Sequence, residues 1–472
     1  MPETLAPVQS QIARRCPACG RVSTNSERCL RCWRDIAAVT PLTAEEAATA
    51  LKVEAALAQR MTQGRFSTGQ KLLYGFLGIL ALLIGWWVYA TFIDKPPKPD
   101  LPTAATRSMA AGSWTTSEGD ARGLRSIDAP SRVGGTEAWN ISLGSPVATP
   151  LVSDGRIVVA TLADGRVVGL EASSGKTLWT VPLATPPFAA PVIAGDRVYI
   201  AQREGRVTVV SALDGKDAWQ SRFVAGSFQA SPIVVDGVVY TYSTDGLFAF
   251  DAETGRILWE QILEVGWATV APVIEGKYLI VATGDKSIAF DRTNGRVTFH
   301  VAFSRTQPSS LAVSDGRVLA VYGRNATVFE TSSRSPWWDG MRGAWFRFHL
   351  IGMAPAVPPA PTVWDVTSLP RTTMPAAVGQ NVTVVTSSDG VAAALNLADG
   401  KQAWAAKTER LAVPPIALSD GFLFGEEGRL LLLDATTGKP LGERKIDGIR
   451  SLAPTRDTLF VATGAGNVLA LR

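Results

Sequence analysis

From about residue 135 to the end, the chain is built from short apolar runs separated by polar punctuation. The order is apolar run, Asp-Gly or Gly-Asp turn, apolar run, turn, apolar run, then Gly-x-x-x-Trp, as in S-D-G-R-I-V-V-A-T-L-A-D-G-R-V-V-G-L-E-A-S-S-G-K-T-L-W. Such runs, rich in Val, Ile, Leu, Tyr and Phe, predict strands joined by tight hairpins, because Gly and Asp supply the positive backbone angles that two-residue turns need. The unit repeats: Trp139, Trp179, Trp219 and Trp259 recur every 40 residues, Phe299 takes the next place, Trp338 comes one residue early, and Trp364 and Trp404 restore the spacing. Four strands per repeat of about 40 residues describe a propeller blade. Repeats at Trp139, Trp179, Trp219, Trp259, Phe299, Trp364, Trp404 and about Gly442 make eight. The last one runs out at Arg472 with three strands, and Gly135–Trp139 aligns with Gly175–Trp179, so the start of the domain is expected to supply the missing strand and close the ring.

Ahead of the repeats the pattern changes. Leu72 to Ile93 holds no charged residue and is long enough to cross a bilayer, with Trp86, Trp87 and Tyr89 towards one end, as an aromatic belt requires. The run lies far from Met1 and is not followed by a small-residue cleavage pattern, so a retained anchor is expected rather than a cleaved leader. Arg60, Arg65 and Lys71 precede the span without nearby acids, whereas Lys95 and Lys98 follow beside Asp94 and Asp100; this bias places the N-terminus inside. Before the span, T-A-E-E from Thr43 is a capping box opening a helix whose apolar face is mostly alanine, expected to be a spacer. After it, residues 94–134 are rich in Pro, Ser, Thr, Ala and Gly. They read as a disordered tether spanning roughly 35 Å.

One repeat is interrupted. Asp339 to Val363 is a long insertion, read as lying between the last strand of one blade and the first of the next. In an up-down meander that connection shares a face with the second-to-third loops, which hold Asp164, Glu204, Asp245, Asp285, Asp389, Glu426 and Glu427. An acidic ring with Arg342, Trp345, Phe346, Arg347 and Phe348 standing over it is one reading, a face that binds a protein or peptide. The other reading makes the acids turn residues and the insertion a cap on the central channel.

The four cysteines, Cys16, Cys19, Cys29 and Cys32, form two C-x-x-C knuckles nine residues apart. That layout suits tetrahedral zinc, and with all four positions filled by sulfur the Zn2+ is structural. A pair of disulfides is the competing arrangement and belongs to an oxidising compartment. Arg14, Arg15, Arg21, Arg28, Arg31 and Arg34 surround the knuckles, either as a solvated basic surface or as contacts for phosphate or acidic lipid.

The stretch A-F-D-A-E-T-G-R-I-L-W, Ala249 to Trp259, resembles the tryptophan-docking repeat of the PQQ-like β-propellers: quinoprotein alcohol dehydrogenases and BamB-type outer-membrane assembly factors. Asp251, Asp291 and Asp434 hold its aspartate place, and Gly175, Gly215, Gly255, Gly295, Gly400 and Gly438 its glycine. For an enzyme, the resemblance implies pyrroloquinoline quinone under a vicinal cysteine disulfide, with a calcium or lanthanide ion beside it. No cysteine follows Cys32, so that disulfide cannot form, no quinone is expected and no catalytic residue is assigned. His300 and His349, the only histidines, leave no His-based metal triad.

The net charge of +4 on 472 residues does not argue for a nucleic-acid partner, and 46% hydrophobic content supports a large core. The expected organisation is a zinc ribbon at 1–40, a helical spacer at 41–70, a transmembrane helix at 71–93, a linker at 94–134 and an all-β, eight-bladed propeller at 135–472. The expected protein is a single-pass inner- or plasma-membrane protein with a cytoplasmic ribbon and a periplasmic or extracellular propeller. It is expected to be a binding scaffold and not an enzyme; a quinoprotein-like oxidoreductase and a transmembrane ligand sensor are the alternatives.

Overall fold

The computed structural model describes residues 12–24, 27–63, 68–88, 100–104, 106–110, 112–184, 186–262, 270–282, 286–302, 308–331, 352–353, 362–372, 374–387 and 390–472. They divide into two compact units, Met1–Lys95 and Pro96–Arg472.

In the first unit a two-stranded hairpin, Ala13–Arg15 with Val22–Thr24, precedes helix α1 (Ala44–Gln63) and helix α2 (Thr68–Val88). The capping box forms at α1: Glu46 Oε2 accepts from the Thr43 amide at 2.9 Å, and Thr43 Oγ1 accepts from the Glu46 amide at 3.3 Å. α1 is more than a spacer. Its small Ala50 is buried against Ala13 and Val22 of the hairpin, and Glu54 Oε1 accepts from the Val22 amide at 3.0 Å. Alanine suits this face because it lets the helix approach the hairpin closely. α2 contains an 18-residue stretch, Gly69–Trp86, long and apolar enough to cross a membrane, and its side chains there are exposed. Tyr89 to Ile93, the end of the apolar run, lies outside the described residues.

The second unit is a ring of eight four-stranded antiparallel sheets. Blade 1 consists of Val152–Ser153, Ile157–Thr161, Arg166–Glu171 and Thr177–Pro182, paired in sequence order, and blades 2 to 7 repeat it. Blade 8 takes its outer strand, Glu137–Ser142, from the start of the domain and its other three from Ile449–Pro454, Leu459–Thr463 and Asn467–Leu471. The expected clasp is present, with Trp139 opposite Ala470. The middle strands are mostly apolar and buried at all but their ends because blades cover both faces, as in Ile157–Thr161, where every residue is buried. Outer strands alternate, since one face meets solvent: in Thr177–Pro182 only Trp179 is buried.

The recurrent tryptophan joins blade to blade. Trp179 Nε1 donates to the carbonyl of Ala212 in the next blade at 2.8 Å, and Trp139, Trp219, Trp259 and Trp364 do the same 33 residues on. Each ring lies on the glycine of the neighbouring third-to-fourth turn; a Cβ at Gly215 would stand 2.8 Å from Trp179. In the same turns the aspartate is a cap. Asp251 Oδ1 accepts from the amides of Glu253 and Thr254 at 3.0 and 2.9 Å. A register shift recurs one position after the residue facing the tryptophan, as at Ala249/Phe250 and Gly169/Leu170, and re-aims that side chain.

The two places without tryptophan follow the same logic. Blade 5 lacks the standard turn because the insertion occupies it, and the preceding blade carries Phe299. Blade 8 lacks the turn because its outer strand comes from elsewhere in the chain, and blade 7 carries Gly442.

Residues 100–134 depart from expectation most. They are no free tether but a strap bonded to all eight blades, the eighth through Arg132, whose Nη2 donates to Arg456 O at 3.1 Å. The strap starts at blade 3, where the Thr103 amide donates to Asp251 Oδ2 at 2.5 Å and Arg107 pairs with Asp196 and Glu253. The Met109 amide then donates to Val234 O of blade 3 at 3.0 Å. Amides of blades 1 and 2, from Ser153 and Ile193, donate to Trp114 O and Thr115 O at 2.7 and 3.0 Å. Blades 4 to 7 follow, with Ile274, Val313, Val378 and Ala417 donating to Ala121, Arg122, Leu124 and Arg125 at 2.8 to 2.9 Å. Composition hid this because the strap needs little core of its own: it finishes hydrogen bonds that the inner strands leave open.

Candidate functional site

The four-cysteine centre is assembled by two equivalent turns. The Cys16 amide donates to Arg21 O at 2.9 Å and the Cys29 amide to Arg34 O at 2.8 Å, while Gly20 and Trp33 donate back to the carbonyls of Cys16 and Cys29. Gly20 and Trp33 both take positive φ, 71° and 58°, which turns each knuckle back on itself. All four sulfurs lie within 4.8 Å of one another, with Cys16 to Cys32 at 3.6 Å and Cys19 to Cys29 at 3.4 Å. No disulfide joins them. Tetrahedral thiolates about 2.3 Å from a zinc ion stand about 3.8 Å apart, so this donor set fits a metal. The amide of Cys32, followed by that of Arg31, pulls the Cys29 thiol down to about 6, and the amide of Cys19 lowers Cys16. One cysteine of each knuckle therefore favours the thiolate that binds metal, whereas Cys19, although the Arg21 amide lowers it, is pushed up to about 11 by the neighbouring thiols, Cys29 first, and by burial.

On the propeller, connections alternate between two faces: the first-to-second and third-to-fourth turns share one, and the second-to-third and fourth-to-first loops share the other. Thr362–Val366 pairs with Asn325–Glu330, and Trp364 sits opposite Val328. The insertion is therefore the third-to-fourth connection of blade 5. It belongs to the face opposite the acidic loops, not above them. Trp364 makes the docking bond that identifies the outer strand, so blade 5 closes there. Arg342, Trp345, Phe346, Arg347 and Phe348 lie outside the described residues. On the face to which their connection belongs, a cleft of about 820 Å³ opens between blades 5 and 6, floored by Leu124, Leu319 and Val378 and rimmed by Asp315, Arg317 and Asp399.

The acids of the other face do not form a bare ring. Asp164 is held below the usual carboxylate range by the Arg166 guanidinium, whose Nε lies 2.8 Å away. Glu426 is buried, accepting from the Glu409 amide at 2.9 Å and from Arg429 at 2.5 Å, and Glu427 meets Arg410 at 3.4 Å. Asp285 and Asp389 lie outside the described residues.

The first strands ring the axis. On the loop-face side the strap leaves a cavity of about 270 Å³, with Ser117, Glu118 and Arg125 of the strap among its lining residues. Arg125 is buried: its Nε donates to Pro415 O at 3.0 Å, its Nη1 meets Glu118 at 3.2 Å, and its guanidinium lies 5.4 Å from the Trp114 ring centre. Sequence reasoning passed over this group. The available signal was a lone tryptophan and paired Glu and Arg in an otherwise small-residue segment.

Comparison with known proteins follows this geometry. BamB from Moraxella catarrhalis superposes with a TM-score of 0.56 at 15% identity, covering 71% of this chain and 97% of that one. The computationally designed Ika8 protein gives 0.57 at 14%, covering 71% and 99%. Quinohemoprotein alcohol dehydrogenase from Comamonas testosteroni gives 0.59 at 13%, covering 76% and 80%. These likenesses show the fold. No curated protein matches the chain. The family model for outer membrane protein assembly factor BamB matches residues 103–249, 244–344 and 360–472, so the chain belongs to that family.

Proposed function

We propose that the protein is a membrane-anchored, non-catalytic binding scaffold whose propeller captures a protein or peptide partner outside the cytoplasm, possessing a structural zinc centre within it. The observation that carries this reading is the match of the propeller to the family of an assembly factor. Its anchor is the exposed apolar helix α2. The four thiols take zinc, and a closed sulfur set leaves it no open position for chemistry. Envelope-protein assembly is the setting that the family's description favours.

Likeness to quinohemoprotein alcohol dehydrogenase favours a second reading, an oxidoreductase. Against it, the propeller contains no cysteine for the disulfide that such enzymes place on their quinone. A dye-linked dehydrogenase assay after incubation with quinone and calcium decides between them. Turnover would establish the enzyme.

The proposed contact surface is the insertion, with Trp345 and Arg347 as anchors, since side chains of these types dominate interface energies. A photo-cross-linker at position 345 in native membranes should yield a discrete adduct. Changing Trp345→Ala and Arg347→Ala together should weaken partner binding by at least about 30-fold, taking roughly 2 kcal/mol for an anchor pair, with little change in melting. A far lower melting temperature with unchanged binding would make the insertion a structural plug.

A further inference from the structure

We propose that the strap from Arg107 to Ile127 is the resident ligand of the propeller's central channel: a looped peptide, supplied by this chain itself, that holds the place of any channel-bound prosthetic group.

Three observations support this. First, the contacts are those of peptide recognition. Inner-strand amides of six blades donate to strap carbonyls and a seventh blade accepts a strap amide, so main-chain groups around the ring hold a backbone that turns at Thr116–Gly119 and Asp120–Gly123 as it passes from blade to blade. Second, the strap carries anchors of its own. Trp114 has no exposed surface, and buried Arg125 is satisfied by Glu118 and by carbonyls of blade 7 and the strap. Third, the fit is close. Gly123 has φ of 69°, and a Cβ there would lie 2.5 Å from Leu311 O of blade 5. Any larger residue would lift the strap from the inner wall.

The strap leaves about 270 Å³ in the channel, below the roughly 300 to 1,000 Å³ of pockets that hold drug-sized ligands. A prosthetic group in the channel would have to share this narrow space with the seated strap. The nearest polar groups are also committed to each other, Glu118 to Arg125 and Ser117 to Ser231.

The test uses the full chain in detergent. Ser117 Oγ and Ser231 Oγ are 3.1 Å apart, so the pair Ser117→Cys and Ser231→Cys should be joined by mild oxidation, as read by mass spectrometry of the linked peptides. In the unmodified chain, trypsin should cut after Arg122 and Arg125 at least about a hundredfold more slowly than in the urea-unfolded chain. Gly123→Ala should restore fast cutting there while the blades stay resistant. Cutting of the native strap at the unfolded rate, or no link in the folded cysteine pair, would overturn the proposal. Saturable equimolar binding of pyrroloquinoline quinone to the linked protein would overturn the claim on the channel. These outcomes are separate from partner capture, which reports on the insertion alone.

Discussion

At the residue scale, the glycine of each third-to-fourth turn is fixed by two demands, and they can be separated. Gly255 has φ of 72° and stands where a Cβ would meet Trp219 Cε3 at 2.4 Å. Gly144 has φ of 76°, but nothing lies within 4 Å of its missing Cβ. Gly144→Ala should therefore lose only the backbone term, about 1 kcal/mol, whereas Gly255→Ala also displaces the docked indole and should lose about 2 to 4 kcal/mol. Thermal unfolding of the two variants checks this; equal melts would mean that the indole does not depend on the close approach. The sequence made this glycine and its tryptophan legible because the same pair recurs. It did not show what the pair does for Phe299 or Gly442. Those places make sense only once the neighbouring turn is seen to be missing, which is information about the next blade, not about the residue itself.

At the element scale, strands and blade count were readable because each blade buries its middle strands on both faces, and this leaves an apolar run flanked by turns. The strap and the insertion were not readable, for opposite reasons. The strap gains its order from hydrogen bonds to others, so its own composition imitates a linker. The sequence points the insertion to the other face because Trp338 falls near a 40-residue multiple, and the register of Trp364 against Val328 settles the assignment. Two neighbouring elements thus make different predictions on deletion. Removing Glu137–Ser142 takes the outer strand from blade 8 and bares the edge of Asn467–Leu471, so the propeller should melt well below the parent and aggregate. Removing residues 94–99, which precede the strap's first described contacts, should leave the melt unchanged. Equal melts for the two deletions would show that ring closure does not depend on the clasp.

At the scale of the whole molecule, the two units answer to different physics: a propeller held by blade packing, and a ribbon whose hairpin, α1 contact and thiols enclose a small core that the proposed zinc would complete. Charge supplies the expectation for their sidedness. Arg60, Arg65 and Lys71 flank the apolar helix on the ribbon side with no acid among them, while Lys95 and Lys98 are offset by Asp94 and Asp100, so the ribbon should face the cytoplasm. A reducing compartment would also keep four free thiols available to zinc. In intact spheroplasts, endoproteinase Asp-N added outside should cut before Asp94 or Asp100 and release the propeller, with the bonds before Asp120 and Asp128 of the strap uncut. An impermeant maleimide should leave all four cysteines unmodified until the membrane is opened and a chelator strips the metal, and the same chelator should leave the propeller's melting temperature where it was. Labelling of the thiols from outside in sealed cells would reverse the orientation and remove the ground for a cytoplasmic ribbon, and a propeller melt that falls with chelation would show that the two units do not fold independently.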